Sequence, residues 1–333
     1  MTGTAPAGVD GHPVARGGDG PEIVTLTLNP ALDVFTEVDR MEPGPKLRCS
    51  ASLMHPGGGG INVARAVHRL GGTSHAVFAA GGGLGAELVE LMALEEVPHT
   101  PVPIDGWTRQ SVTVAERSGG ARFRLVFPGP SLTPSERARC IDVAVDRASA
   151  AGELVASGSL PPGAPTDLYA QLARRAARAG IRLLLDSAGP PCEAALEVGV
   201  HLVRCNQREA RRLAGDDSAA DLEALAEELV RRGAAHLVLM ARAHEGATLT
   251  GSFGTFRARP PDVPQASPVG AGDSQLAAVA LGLAQGWPPG TALQYGVAAA
   301  AAAQLTTGTE LCRRHDAERL FVEMTGTPLP EPV

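Results

Sequence analysis

Short apolar strands alternate with helical segments along most of this chain, and the alternation constrains its fold more than any other feature. The first strand, at residues 22–28, is apolar and rich in β-branched side chains, as strands buried in a parallel sheet are. The pattern predicts an α/β fold with a buried sheet. Further apolar runs of the same kind lie at 75–80, 153–157, 181–185, 201–204 and 236–240.

Length and charge limit what the chain can be. At 333 residues it is long enough for two domains or for one large α/β core. The formal net charge is −7 and no cluster of lysine and arginine stands out, so a nucleic-acid surface is not expected. No apolar run is long enough to cross a membrane, and the N-terminus lacks the order of a secretory signal. We therefore expect a cytoplasmic protein, with a disordered Gly/Ala/Pro-rich tail at residues 1–20.

The spacing of cysteine and histidine gives no sign of a bound metal. The five cysteines are scattered and odd in number, without the close pairs of a zinc site or a disulfide framework. We interpret them as reduced and mostly buried thiols. None of the nine histidines has another four residues later, so a helical histidine pair that binds metal is not expected.

Four strand patterns lie outside the main alternation and predict a small separate sheet. Two of them flank a turn rich in Pro and Gly, and two flank Ser118-Gly119-Gly120, which is a good hairpin signal. The apolar face of such a sheet needs a cover, and a ligand cleft or a second subunit is the usual one. The small sheet is expected within about 34–55 and 108–127, from strands at 34–39, 47–54, 111–117 and 121–126.

A glycine motif, Gly270-Ala271-Gly272-Asp273, precedes an apolar run at 275–283 that is predicted to be helical. Glycines at a helix N-terminus let an anion approach the backbone N–H groups closely. An aspartate at such a site suits a general base that deprotonates a hydroxyl attacking a phosphoryl group. The structural alternative is a turn in which Asp273 only favours the first helical turn, and the motif alone does not exclude it.

Two polar residues near the first strands are further candidates for ligand contacts. Asp33 is expected at the carboxyl end of the strand at 22–28, where α/β sheets bind ligands, although an ordinary turn aspartate fits equally well. Four glycines at 57–60 lead into a helix at 61–70 whose first turn contains Asn62. Such a backbone can lie against a ligand, and a flexible connection is the alternative.

Lys46 is the only lysine among 29 basic residues. Arginine cannot always replace its compact point charge, so a specific ligand is one explanation and chance retention is the other. Lys46 does not follow the glycine pattern of a Walker A loop, which excludes that phosphate cradle. Arg109, at the junction of core and small sheet, and Arg124, in the hairpin, are candidate phosphate ligands or plain surface charges.

Two other patterns have competing explanations. The run Gly81-Gly82-Gly83-Leu84-Gly85-Ala86 fits the dinucleotide motif, with Asp105 24 residues after Gly81. It does not follow the first strand, however, and Asp105 is expected in a proline-containing loop instead of at the end of a second strand. Asn206 and Glu209 are spaced as a capping box, and Glu209 could equally lie near a hydrated Mg²⁺.

Taken together, five motifs resemble the ribokinase-like (PfkB) family of carbohydrate kinases, and their order covers residues 22–325. The resemblance implies a kinase domain at 21–333 with a Rossmann-like three-layer αβα core and a β-sheet lid, formed by the small sheet. It also implies MgATP as phosphoryl donor and a homodimer joined through the lids. The motifs are Thr-Leu-Asn-Pro-Ala-Leu-Asp at 27–33, the glycine segment at 56–65, Gly-Ser-Leu-Pro-Pro-Gly at 158–163, Asn206-x-x-Glu209 and residues 269–274.

Within the family, residues 46–49, 107–110 and 308–312 most resemble the branch that phosphorylates fructose 6-phosphate at its C1 hydroxyl, giving fructose 1,6-bisphosphate. The resemblance implies that Asp273 is the general base and that the backbone of Gly270, Ala271 and Gly272 holds the developing charge. Glu209 would act on Mg²⁺ through water. Sugar or sugar-phosphate contacts would come from Asp33, Lys46, Gly58, Asn62, Arg109, Arg124 and Ser159, and nucleotide contacts from Arg204, Asn206, Arg242 and Gly308.

Three departures from the family pattern leave alternatives open. The usual Lys-Pro-Asn is Arg204-Cys205-Asn206, the expected Ser-Leu-Gly is Met240-Ala241-Arg242, and Pro268 stands where many relatives have threonine. The second departure lies where relatives contact the nucleotide phosphates. A non-catalytic protein that binds a sugar phosphate is therefore one alternative. Tagatose-6-phosphate kinase or 1-phosphofructokinase activity is another, although those enzymes usually carry a lysine in place of Gly59.

Overall fold

The computed structural model describes residues 21–215, 221–264 and 269–331. The predicted tail at 1–20 and Pro268 lie outside the described residues. The described strands are β1 (Glu22–Thr27), β2 (Ala31–Val38), β3 (Leu53–Gly57), β4 (Thr73–Ala80), β5 (His99–Pro103), β6 (Arg109–Glu116), β7 (Arg122–Val126), β8 (Glu153–Ser157), β9 (Arg182–Asp186), β10 (Val200–Asn206), β11 (Ala235–Ala241), β12 (Ala247–Gly251) and β13 (Gly254–Ala258).

The helices follow most of the core strands, as the sequence pattern predicts. They are α1 (Gly59–Arg69), α2 (Gly82–Leu94), α3 (Pro134–Ala151), α4 (Leu168–Arg178), α5 (Pro190–Val198), α6 (Gln207–Leu213), α7 (Leu222–Arg231), α8 (Ala271–Ala284), α9 (Pro289–Ala303) and α10 (Arg314–Thr325).

The main sheet has nine strands in the order β13-β12-β11-β10-β9-β8-β1-β4-β5. All neighbouring strands from β11 to β5 run parallel, and only β12 and β13 are added antiparallel. The carboxyl ends of seven parallel strands therefore meet at one edge of the sheet, which is where open α/β sheets bind ligands.

Helices cover both faces of this sheet and make three layers. Along β1, Val24 and Leu26 point into a core formed with α3 to α7, while Ile23 points into a core formed with α1, α8, α9 and α10. This alternation follows from the twofold side-chain period of a strand. It explains why a strand with two buried faces is apolar throughout.

A second sheet of four strands, in the order β3-β2-β6-β7, forms the lid. β6 and β7 pair antiparallel, as the hairpin signal predicts, and β2 pairs parallel with β6 and antiparallel with β3. The first of these strands differs from the prediction: β2 begins at Ala31, directly after Asn29-Pro30. Residues 46–52 form no strand, and β3 starts only at Leu53.

Three strands of the main sheet were not predicted from the sequence. β5 contains two prolines in five residues, Pro101 and Pro103, a composition that disfavours a strand assignment. It forms because it is the edge strand beside β4, where one side of the backbone needs no partner. β12 and β13 extend the opposite edge as a hairpin. No helix in the described ranges has the length and apolar character needed to cross a membrane.

The cysteines agree with their interpretation as reduced thiols. All five are free, and four of them are buried. Only Cys49, in the loop between β2 and β3, is exposed.

Candidate active site

Helix α8 begins within the glycine motif, at Ala271, four residues before the helix predicted at 275–283, and Gly270 is its N-cap residue. The backbone of Gly270 has φ 82° and ψ −5°, a left-handed conformation that favours glycine. The N–H of Ser274 is bonded to the Gly270 carbonyl at 2.9 Å, which closes the first helical turn. The N–H groups before it, from Ala271 to Asp273, have no acceptor within the helix and can bind an anion.

Two cavities meet at this helix N-terminus. One has a volume of about 520 Å³, lies between the main sheet and the lid, and is lined by Asp273. The other has a volume of about 380 Å³, lies on the side of α9 and β11, and is lined by Ala271 and Gly272. Arg204 lines both of them. We call the first the lid-side cavity and the second the α9-side cavity.

The lid-side cavity brings together most of the residues expected to hold a sugar phosphate. The predicted residues in its lining are Asp33, Gly58, Asn62, Arg109, Arg124, Ser159, Arg204, Glu209 and Asp273.

The Asp273 carboxyl is half-buried at the floor of the lid-side cavity. Its Oδ2 accepts a hydrogen bond of 2.9 Å from Asn62 Nδ2. Burial raises the pKa of Asp273 to about 7, and the negative charge of Asp186 acts in the same direction. The Asn62 hydrogen bond and the Arg204 charge oppose this rise. A carboxyl group with this pKa is suited to accept a proton near neutral pH.

Asn62 is held in turn by Arg65, a residue that the sequence reading did not select. Arg65 is fully buried, and its Nη1 donates to Asn62 Oδ1 at 3.2 Å. Its Nε and Nη2 atoms donate to both carboxylate oxygens of Glu95. A buried arginine spaced three residues from a site residue on one helix is a signal that could have identified it.

The structure places Asp33 in the third position of β2, in the lid, which corrects its expected position at the end of β1. It faces His55 of β3 and lies against Gly57. Burial raises the pKa of Asp33, and the charges of Arg124 and Arg109 partly offset that rise. Asp33 therefore lies in the lining next to two cations, as an acceptor for sugar hydroxyls would.

Arg109 is fixed by Asn29, which lies two residues after the end of β1. Its Nε donates to Asn29 Oδ1 at 3.1 Å and its Nη2 to the Asn29 carbonyl at 3.2 Å. Asn29 Nδ2 donates in turn to Ser159 Oγ at 3.1 Å. Asn29 therefore joins two lining residues, although the sequence analysis treated it only as part of a motif.

Arg204 forms a largely buried ion pair with Asp186, the last residue of β9. Their side chains are 13% and 14% exposed, and Nη1 lies 3.4 Å from Asp186 Oδ1. The guanidinium also lies against Gly272, so closely that a Cβ at that position would overlap it. Asp186 lines the lid-side cavity but was not predicted as a site residue.

Glu209 forms the predicted capping box and also lines a cavity. The capping box forms, with Asn206 N donating to Glu209 Oε2 at 2.8 Å and Glu209 N donating to Asn206 Oδ1 at 3.0 Å. Glu209 also lines the lid-side cavity, whereas Asn206 lines neither cavity.

Besides Gly270, the N-cap residue of α8, three other predicted residues are not among those that line the two cavities. Lys46 is exposed in the loop between β2 and β3. The Arg242 guanidinium bonds to Glu223 and Glu245, although the neighbouring Ala241 and Ala243 do line the α9-side cavity. Gly308 lies against Phe35 and His55 at the base of the lid, not at the predicted nucleotide side.

The structure disfavours the dinucleotide interpretation of residues 81–86. The sequence predicted that Asp105 lies in a loop and does not follow a strand. In the structure it lies two residues after the end of β5. The Trp107 ring, however, lies against Gly82, and the carbonyl of Ile104 lies against Gly81. The protein itself thus occupies the positions from which a pyrophosphate would approach these glycines.

Residues 27–316 match the pfkB family of carbohydrate kinases. The chain belongs to that family. It is 42% identical over 310 residues to the ATP-dependent 6-phosphofructokinase isozyme 2 of Mycobacterium tuberculosis, covering 92% of this chain and 91% of that protein. Its identity to the isozyme of the same name from Escherichia coli K12 is 40% over 306 residues, covering 91% and 99%.

The fold is also that of the family. The crystal structure of phosphofructokinase-2 from Escherichia coli in complex with fructose-6-phosphate superposes with a TM-score of 0.87 at 38% identity, covering 92% of this chain and 99% of that one. The three-layer core and the β-sheet lid expected from the sequence are thus those of a pfkB carbohydrate kinase.

Proposed function

We propose that this carbohydrate kinase transfers the γ-phosphoryl group of ATP to the C1 hydroxyl of fructose 6-phosphate and forms fructose 1,6-bisphosphate. The observation that carries the proposal is the position of Asp273 in the first turn of α8, between the two cavities. The relatives with 40% and 42% identity are named for this reaction.

Asp273 acts as the general base in this proposal. The Asn62 bond engages Oδ2, so Oδ1 accepts the hydroxyl proton as the sugar oxygen attacks phosphorus. The proton moves from the C1 hydroxyl to the carboxylate. The γ-phosphoryl group of ATP moves to the C1 oxygen as its bond to the β–γ bridging oxygen breaks, and ADP leaves. The N–H groups at the start of α8 and the Arg204 guanidinium stabilise the charge on the transferring group.

The lid-side cavity supplies the acceptor contacts. Arg109 and Arg124 provide two guanidinium groups for the 6-phosphate, and arginine binds phosphate in a bidentate way. Asp33 and Asn62 provide oxygen and nitrogen atoms for the sugar hydroxyls. The α9-side cavity holds the nucleotide, with its phosphates at Gly272.

Mg²⁺ fits this arrangement when it arrives with the nucleotide. The described residues contain no cluster of three or more metal-ligating side chains, so the phosphates and water would supply most ligands. One oxygen of Glu209 is engaged in the capping box, and the other would hold a Mg²⁺-bound water. The bound ion would neutralise charge on the donor phosphates.

We also propose a homodimer joined through the lids. Arg124 and Val126 of β7 line the cavity, so the strand alternation turns Phe123 and Leu125 to the opposite face. Both side chains are exposed, and exposed apolar surface of this kind marks an interface. ATP and sugar phosphates are cytoplasmic metabolites, and we propose that location for the protein.

The test is coupled turnover of fructose 6-phosphate, tagatose 6-phosphate and fructose 1-phosphate with MgATP, beside the Asp273→Asn variant. We expect the highest kcat/KM for fructose 6-phosphate. General-base catalysis contributes typically ~10²–10⁴-fold, and the variant should lose at least that much turnover.

Two outcomes would contradict the proposal. Sugar-phosphate binding by calorimetry without turnover would identify a non-catalytic binding protein. A higher kcat/KM for tagatose 6-phosphate or fructose 1-phosphate would assign the kinase to one of those substrates instead.

A further inference from the structure

The Asn62 amide contacts the proposed base, Asp273. The orientation of the amide decides whether it stabilises or destabilises the Asp273 carboxylate. Its Nδ2 donates to Asp273 Oδ2 at 2.9 Å. If the amide were rotated by half a turn, its oxygen would face the carboxylate, and two acceptors would repel each other. An ionised Asp273 selects the nitrogen by itself, but a protonated Asp273 could donate to the oxygen of a rotated amide. A second group is needed to hold one orientation of Asn62 in both protonation states.

Arg65 lies on the other side of that amide. Its Nη1 donates to Asn62 Oδ1 at 3.2 Å. A guanidinium carries only donors, so the Asn62 atom that faces it has to be the oxygen, and the nitrogen has to face Asp273.

Arg65 is itself held on several sides and is fully buried. Nη1 also donates to the carbonyl oxygens of Pro56, at 2.8 Å, and Thr309, at 3.1 Å. Nε donates to Glu95 Oε2 at 2.9 Å, and Nη2 forms an ion pair with Glu95 Oε1 at 2.5 Å. Apart from the Asn62 bond, the two backbone carbonyls and both oxygens of Glu95 hold this side chain in one position. Nη1 has two hydrogens for three acceptors and shares them among Pro56, Thr309 and Asn62.

We propose that Arg65 is a positioning residue of the active site, which orients Asn62 so that Asp273 receives its hydrogen bond. The inference rests on the proposed role of Asp273 as base. It adds a chain of contacts from Glu95 through Arg65 and Asn62 to the reacting carboxylate.

Other charges act on the two ends of this series of contacts, and a control variant has to separate their effect from that of Arg65. Arg69 Nη2 pairs with the same Glu95 at 3.3 Å, but Arg69 makes no bond to Asn62 among the described contacts. The charged groups that face Asp273 are Asp186, Arg204 and Asp33, and those that face Arg65 are Glu95, Arg69 and Asp33.

The experiment compares Arg65→Lys with the matched control Arg69→Gln. Lysine keeps the positive charge but cannot make the same fork of bonds, so the Asn62 amide is released. The pKa of Asp273 should then rise by about one unit, as for the loss of one hydrogen bond to a charged group. In Arg69→Gln it should not change.

The readout is the ¹³C shift of the Asp273 carboxyl against pH in protein labelled at aspartate, assigned by its loss in Asp273→Asn. This titration needs no turnover, so it tests the inference even if the proposed reaction fails. In an active enzyme the acid limb of kcat/KM should move upward by the same amount.

Three results would overturn the inference. One is an unchanged Asp273 pKa in folded Arg65→Lys, and another is an equal shift in Arg69→Gln. The third is an equal effect of Arg65→Lys in an Asn62→Ser background, where the proposed contact no longer exists. If Arg65→Lys does not fold, Glu95→Gln replaces it, because this change weakens the anchor of Arg65. An upward shift is again expected, and no shift overturns the inference.

Discussion

Asn62 Nδ2 lies 2.9 Å from Asp273 Oδ2, and this bond joins the first turn of α1 directly to the first turn of α8. The two helices come from glycine-rich segments that are far apart in the chain. Their meeting produces a half-buried carboxyl group with only partial compensation of its charge. Asp273, the proposed base, consequently costs stability, as desolvated active-site groups often do.

The first prediction concerns this cost. The folded-state pKa of Asp273 is about 7, against an ordinary value of 3.8. Between these values the folded protein holds a proton that the unfolded chain has released, so the Asp273 contribution to stability falls as pH rises. Asp273→Asn removes the charge. We expect it to raise Tm by a few degrees at pH 8, which corresponds to a gain of about 1–2 kcal/mol in the free energy of unfolding.

The pH dependence provides the control for this prediction. At pH 5 the Asp273 carboxyl is protonated in the folded state and resembles the amide, so the two Tm values should lie closer together. Differential scanning calorimetry at both pH values measures the difference. A Tm advantage of the variant that is as large at pH 5 as at pH 8 would show that ionisation is not its cause.

The second prediction concerns the contact between Gly272 and Arg204. A Cβ at Gly272 would overlap the Arg204 guanidinium, so Gly272→Ala should displace that cation from the junction of the two cavities. A displacement of about 1 Å can cost ~10²-fold in rate, and we expect kcat to fall by ~10- to 100-fold.

The control variant for the second prediction is Gly83→Ala. A Cβ at Gly83, in the first turn of α2, would meet no atom within 4 Å. Steady-state kinetics should show an unchanged kcat for Gly83→Ala. If the two alanine variants lose kcat equally, the Arg204 contact is not the cause.

Much of this site could be predicted because its signals are local. The glycine run before α8, the capping box of Asn206 and Glu209, and the apolar strands depend on backbone conformation and burial within a few residues. Side chains that follow such segments end at the same edge of a parallel sheet. Such signals selected Asp273 and Asn62 as candidates, whereas Ser159 and the ligand shared by all three were implied by the resemblance to the kinase family.

Long-range contacts could not be predicted in the same way. Asp186 was not predicted as a site residue, because its pairing with Arg204 depends on the register of β9 and β10. Arg65 gains its role from Glu95, which lies 30 residues away on the chain. The strand predicted at 47–54 forms only from Leu53 onward, although Ser50 N donates to the Glu37 carbonyl of β2 at 2.8 Å.

The third prediction concerns the loop that carries Arg242. Glu223 Oε1 accepts from Arg242 Nη1 at 3.0 Å and from Arg257 Nε at 3.0 Å, so one carboxylate of α7 holds both. Ala241 and Ala243, on either side of Arg242, line the α9-side cavity. Glu223→Gln should loosen this wall and raise KM for ATP by ~3- to 10-fold, with KM for fructose 6-phosphate unchanged, since an ion-pair network of moderate exposure is worth ~1 kcal/mol.

Glu228→Gln is the matched control for the loop. Glu228 lies on the same helix and pairs with Arg231 at 2.7 Å on the exposed surface, away from the loop. Its removal should leave both KM values unchanged. A rise in KM for the sugar phosphate in Glu223→Gln would contradict the assignment of the α9-side cavity to the nucleotide.

The fourth prediction tests the proposed dimer. Leu125 is 50% exposed on β7, beside Phe123 and Phe127, which are also exposed. Leu125→Asp places a charge in the centre of this apolar face, and burying an unpaired charge opposes association. Light scattering after size-exclusion chromatography should therefore show a dimer for the wild type and a monomer for Leu125→Asp.

Leu94→Asp provides the comparison, because Leu94 is 79% exposed at the end of α2 and lies outside the lid. This variant should remain a dimer. Since Arg124 lies between Phe123 and Leu125 and lines the sugar-phosphate side, loss of the dimer should also raise KM for fructose 6-phosphate. A monomeric wild type, or a Leu94→Asp variant that also becomes monomeric, would contradict association through the lid face.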